Sequence, residues 1–118
     1  MTEPLTSSTE APSKSAPQIS EALGLHRLKA ERIQLALLEL PGWVLGAEAE
    51  SITRFYALPT EEAAVILLCL IAELSRAQGH EAKLLIFGRH LTVTLSSPES
   101  RGVTEADLDL ARQISFAA

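Results

Sequence analysis

His80 is the side chain of this sequence best suited to moving protons. It follows Gly79 and precedes Glu81, and imidazole titrates near neutrality, so a histidine in such a turn can both give and take a proton. Work of that kind normally needs an acid, a base and a group that orients one of them. Around His80 only Glu81 offers a second proton-transfer group. Other chemistries are served less well. His26 and His90 have no companions at metal-ligand spacing, so no metal site is expected. Ser96-Ser97 lacks a nearby His and Asp set that would activate a hydroxyl, and Gly79, Gly88 and Gly102 are isolated turn residues rather than a phosphate-cradling loop. Cys69, the single cysteine, sits in the most apolar run and reads as a small buried hydrophobe that can form no intrachain disulfide. Arg54, Tyr56, Arg89 and His90 are the candidates for one outward patch that contacts a partner protein.

The elements that must position these residues can be read from hydrophobic spacing. The best-defined is a helix over residues 60–78, with a Thr60 cap, Glu61 and Glu62 in its first turn and Gly79 as its stop. It carries Val65, Ile66, Leu67, Leu68, Leu70, Ile71 and Leu74, a wider apolar surface than one sheet-facing stripe needs. Part of it is therefore expected at a subunit or partner contact. Ahead of it, apolar residues at helical spacing give a helix over 25–40, ended by Pro41-Gly42. Two extended segments, 43–48 and 50–58, are then joined by a hairpin around 47–50. After the long helix come a strand at 84–87 and a second at 90–96, which alternates Leu91, Val93 and Leu95 with His90, Thr92, Thr94 and Ser96. Residues 97–102 form a loop. Thr104 and Asp107 resemble a capping box opening a last helix over 105–116. The order α-β-β-α-β-β-α predicts an α+β fold, a four-stranded antiparallel sheet with three helices on one face.

Residues 1–18 hold three prolines and a surplus of Ser and Thr, too little apolar surface to offset the entropy of ordering, so a disordered tail is expected before a single domain over 19–118. Aromatics make up only 4% of the chain, which leaves Leu, Ile, Val and Ala to fill its core. A net charge of −5 with scattered basic residues argues against nucleic acid as a partner. The apolar run 63–72 is too short to span a bilayer, and no signal-like stretch opens the chain, so a cytoplasmic location is expected.

Several short stretches in fixed order resemble one family. They are Pro41-Gly42-Trp43, Ile52 with Arg54-Phe55-Tyr56, Gly79-His80, Leu91 through Ser97, and Gly102-Val103-Thr104 with Asp107 and Leu110-Ala111. Together they are similar to pterin-4a-carbinolamine dehydratase, with matching spacing from Gly42 to the C-terminus. The resemblance implies a pterin site in which histidines move protons to and from a pterin hydroxyl. It also marks departures. A second His and a Pro of the family fall on Glu81 and Ala82, a third His falls on Pro98, and an acidic residue in the preceding helical turn falls on Arg76. His80, Glu81, Pro98 and Arg76 are thus vestigial family positions, and no catalytic set and no cofactor are expected.

The same resemblance implies a non-catalytic branch, a dehydratase-like Rubisco assembly factor that accompanies alpha-carboxysome operons and lacks the family's histidines. For this chain it implies a protein partner, the Rubisco large subunit, a carboxysome-associated location, and a homodimer that can extend to a tetramer. The alternatives are a divergent 4a-hydroxytetrahydrobiopterin dehydratase using His80 and Glu81, and a transcriptional dimerisation cofactor docking a partner helix on the outer face of helix 60–78.

Overall fold

The long central helix forms because its residue types agree with its ends. Thr60 is extended and its Oγ1 accepts the Ala63 amide at 3.0 Å, Glu61 and Glu62 follow in the first turn, and Gly79 closes the helix in the left-handed region at φ 65°. The structure, a computed structural model, describes residues 26–118. The tail expected over 1–18 and the start of the domain lie outside the described residues.

Along the chain the elements are α1 (Ala30–Leu37), β1 (Trp43–Leu45), a 3-10 turn (Ala47–Ala49), β2 (Ile52–Ala57), α2 (Glu61–Gln78), β3 (Ala82–Phe87), β4 (His90–Leu95), a second 3-10 turn (Pro98–Ser100) and α3 (Glu105–Ala117). The strands make one antiparallel four-stranded sheet in the order β1-β2-β4-β3. The predicted α+β class and element order are observed. Ile52, Leu91, Val93 and Leu95 turn one sheet face inward, where they meet Ile33 of α1, Leu67 and Ile71 of α2, and Leu108, Ala111 and Ile114 of α3. Trp43 is buried at the sheet's β1 edge, and its Nε1–H donates to Ser115 Oγ at 2.9 Å, tying that edge to α3.

Several boundaries differ from expectation, and hydrogen bonding accounts for the largest differences. The first helix is shorter than 25–40, because the Leu28 amide donates to the Val103 carbonyl at 2.8 Å and Lys29 is extended. At its other end Leu38, Glu39 and Leu40 donate to carbonyls three residues back, tightening the chain into turns. The first strand stops at Leu45, since Gly46 pairs with Ser51 and the residues between them coil into a 3-10 turn in which Glu48 and Ala49 both take positive φ. β3 begins earlier than expected, at Ala82, because Ala82 and Lys83 pair with Leu95 and Thr94.

Cys69 is a further correction. It is exposed rather than buried. On α2 the buried residues are Ala64, Leu67, Ile71 and Ser75, leaving Val65, Ile66, Cys69 and Leu70 as an outward apolar stripe. The surplus apolar surface read from the sequence is therefore real, and Leu67 belongs to the core side of it.

Candidate functional site

The end of α2 sets the position of His80. With Gly79 left-handed, the Gly79 amide donates to the Arg76 carbonyl and the His80 amide to the Ser75 carbonyl at 3.0 Å each, a two-bond helix stop. Ser75 Oγ closes the same turn by donating to the His80 carbonyl. These bonds fix the His80 backbone and aim its ring toward the start of α3.

There His80 Nε2 lies 2.5 Å from Asp107 Oδ1, with the His80 side chain 14% exposed and that of Asp107 fully enclosed. Asp107 Oδ2 accepts the Thr104 amide at 2.9 Å and the Ser97 hydroxyl at 2.8 Å, and Thr104 Oγ1 lies 2.9 Å from Ser97 Oγ. One carboxylate thus caps α3 and holds the imidazole, each oxygen with its own task. A charged group out of contact with water needs such partners to be tolerated. The predicted capping box is observed. The expectation that His80 lacks an orienting group is overturned, because Asp107 supplies one from 27 residues away. The spacing Thr104-x-x-Asp107 revealed the cap, but nothing in it disclosed that the second oxygen of Asp107 reaches another element.

The other positions fall into two depressions. Glu81 and Pro98 share a groove of about 420 Å³ with Glu50, Lys83, Thr94 and Ser96, on the sheet face away from the helices. No histidine lines it. Arg76 and His80 border a shallower depression of about 400 Å³ on the helix side, which Glu81 also touches. Arg76 Nη2 is engaged by Glu73 Oε1 at 2.6 Å on the exposed surface of α2. Among the described residues no group of three or more His, Cys, Asp and Glu is arranged to hold a metal ion.

The four residues expected to form one partner patch do not share a face. Arg54 and Tyr56 pair with Val93 and Leu91 and so lie on the helix-facing side, where the Arg54 guanidinium carbon stands 4.6 Å from the centre of the Tyr56 ring. His90 pairs with Ala57 and Phe87 and faces the opposite way. Arg89 lies in the β3–β4 turn, donating from Nη1 to the Leu58 carbonyl at 2.9 Å. Strand parity separates them, since Arg54 shares the parity of the core residue Ile52. Among the described residues the Tyr56 hydroxyl is enclosed without a hydrogen-bond partner. Burial raises its pKa above the ordinary 10.0, with the nearby Arg54 charge opposing that shift.

A four-stranded antiparallel sheet backed by three helices, with a histidine at the end of its long helix held by an enclosed carboxylate, defines a small α+β protein of the pterin dehydratase fold. The sequence profile of Pterin 4 alpha carbinolamine dehydratase matches residues 26–117. The chain is 37% identical over 87 residues to a protein of Nocardia farcinica provisionally named pterin-4-alpha-carbinolamine dehydratase, covering 74% of this chain and 90% of that one. A Paracoccus denitrificans protein of the same provisional name is 33% identical over 94 residues, covering 80% of this chain and 88% of that one. The crystal structure of the Brucella melitensis transcriptional coactivator/pterin dehydratase superposes with a TM-score of 0.74 at 27% identity, covering 79% of this chain and 99% of that one. The chain belongs to the pterin-4-alpha-carbinolamine dehydratase family. Among the described residues no helix is long and apolar enough to cross a membrane.

Proposed function

We propose that this chain keeps the dehydratase scaffold without its dehydration chemistry, and acts as a homodimeric protein-binding factor whose client is the Rubisco large subunit in bacteria that build alpha-carboxysomes. The observation that carries the reading is the groove. The resemblance puts imidazoles at positions 81 and 98, and here a carboxylate and a proline line the groove with no histidine beside them. Proline has no proton to exchange. A single carboxylate with no imidazole beside it does not make up the acid and base pair that the dehydration needs. The Rubisco step comes from the resemblance to the histidine-poor branch. The outward stripe Val65, Ile66, Cys69 and Leu70 on α2 supports the homodimer, since an exposed apolar surface of this sort is usually covered.

Two measurements test the reading together. Dehydration of a 4a-hydroxytetrahydropterin, followed by ultraviolet absorbance, is expected to run at the uncatalysed rate with the chain present. The yield of assembled Rubisco from co-expressed large subunit is expected to rise when the chain is supplied. Catalysed turnover that disappears in His80→Ala would overturn the non-catalytic part. A Rubisco yield unaffected by the chain would overturn the client.

The paired His80 and Asp107 favour a second reading, a divergent 4a-hydroxytetrahydrobiopterin dehydratase. An oriented imidazole bordering a depression with Glu81 retains two of the parts that proton transfer needs. The same turnover assay separates the two.

A further inference from the structure

Among the described residues three that bear side chains take a left-handed backbone, Glu48 at φ 58°, Ala49 at φ 57° and Arg101 at φ 59°. For residues other than glycine that conformation crowds the β-carbon and is costly. All three lie in the two connections that border the groove. The loop 46–51 supplies Glu50 and Ser51 to its wall, and the turn 97–102 supplies Pro98. Backbone of this kind persists only where its surroundings hold it, and it gathers at working sites.

One side chain reaches both connections. Arg27 Nη2 donates to the Glu48 carbonyl at 3.2 Å. The stem of the same side chain lies over buried Gly102, where an added β-carbon would stand 2.9 Å from Arg27 Cγ and Cδ. Gly102 does not take positive φ, so its missing side chain serves the close approach of Arg27 rather than a turn of its own backbone. The remaining bonds are local to each connection. The Ala49 and Glu50 amides donate to the Gly46 and Ala47 carbonyls at 3.2 Å, and Ser97 and Gly102 exchange backbone bonds of 2.7 and 3.3 Å. Arg27 does not line the groove; it borders a separate depression together with Glu48 and Ala49, so the loop 46–51 is a wall shared by the two.

We propose that Arg27 is a strap that joins the two rims of the groove and sets the shape of its mouth from outside. The guanidinium holds the loop 46–51 in its left-handed turn, and the stem anchors that hold on the turn 97–102. Loosening either contact lets the wall that carries Glu50 and Ser51 relax. The inference is independent of what the groove holds, since its test reads the backbone alone.

The test is amide hydrogen exchange of the full chain, followed residue by residue by nuclear magnetic resonance and expressed as protection relative to the unstructured rate. Arg27→Ala is expected to lower protection at Ala49, Glu50, Arg101 and Gly102 at least fivefold, with the amides of β4 within twofold of the parent. Arg112→Ala, which removes an exposed guanidinium from α3, should leave all of these within twofold. Gly102→Ala should push the arginine stem aside and loosen Ala49 and Glu50 by a similar factor, yet change them no further when Arg27 is already alanine, because the coupling runs through that side chain. Ala49→Gly in the Arg27→Ala background should restore at least twofold of the protection lost at Glu50, since glycine accepts the left-handed backbone without a strap. If Arg27→Ala leaves both connections within twofold, or if Gly102→Ala loosens the loop equally without Arg27, the strap is overturned. Failure of Ala49→Gly to restore protection would overturn the left-handed backbone as the reason a strap is needed. Should Gly102→Ala fail to fold by thermal melting, Arg27→Met takes its place: it keeps the stem and loses the donor, and should loosen the loop 46–51 while leaving the turn 97–102 within twofold, any other pattern counting against the proposal.

Discussion

Replacing Asp107 by alanine is the most demanding perturbation of the site, because one side chain is shared by three partners. The carboxylate has no exposure to water and accepts from His80 Nε2, Ser97 Oγ and the Thr104 amide. Losing the helix-capping bond alone costs about 0.5–2 kcal/mol. The Thr104 amide is then left enclosed without an acceptor, at about 1–3 kcal/mol. Ser97 suffers less, since its hydroxyl keeps Thr104 Oγ1 at 2.9 Å. The His80 ring also loses its partner. Summed with allowance for relaxation, Asp107→Ala should lose about 3–5 kcal/mol, as expected for breaking a buried charged network. Asp107→Asn keeps the shape and one acceptor oxygen, and should lose about 1–3 kcal/mol. Urea unfolding followed by circular dichroism measures both. A cycle of His80→Ala, Asp107→Asn and the double variant gives the coupling directly, expected at about 1.5–3 kcal/mol for a hydrogen bond to a charged group. A loss under about 1 kcal/mol for Asp107→Ala, or effects that add within about 0.5 kcal/mol, would refute the network as the organiser of this end of the molecule.

Further outcomes follow from particular side chains. Because burial raises the pKa of Tyr56 in the folded chain, its contribution to stability is fully present below pH 10.0 and is lost as pH rises through the higher folded value. Tyr56→Phe should therefore flatten the alkaline end of a stability–pH profile, and by removing an enclosed hydroxyl without a partner should leave stability near pH 7 equal or higher by up to about 1 kcal/mol. On α2, Leu67→Asp puts a charge among core residues and should abolish cooperative unfolding. Ile66→Asp, on the outward stripe, should change unfolding by less than about 0.5 kcal/mol, and under the proposed homodimer should lower the mass in light scattering from two chains to one.

Much of the architecture could be read from local signals. Alternation in β4, the Thr60 cap, the Gly79 stop and the Thr104–Asp107 box all act within a few residues, and each is found where the sequence put it. What could not be read depends on meetings between distant segments. The extended run before α1 is explained by the Val103 carbonyl, which lies beyond the whole sheet in sequence. Cys69 sits in a run where nearly every residue is apolar, so spacing alone does not say which side meets the sheet. Charge makes Arg54 and His90 look like one patch, although their strand parity sets them on opposite faces. The orienting carboxylate of His80 was visible only as a cap, because hydrogen bonding across 27 residues leaves no local pattern.

The double duty of Asp107 has a consequence for how such a chain can drift. Side chains along the open groove, such as Glu81 and Pro98, answer to water and to whatever docks there, and each can be exchanged alone. The imidazole at the end of α2 has no such liberty. To replace it is to strand an acid that α3 uses to begin, so the histidine is kept as masonry whatever chemistry stands around it.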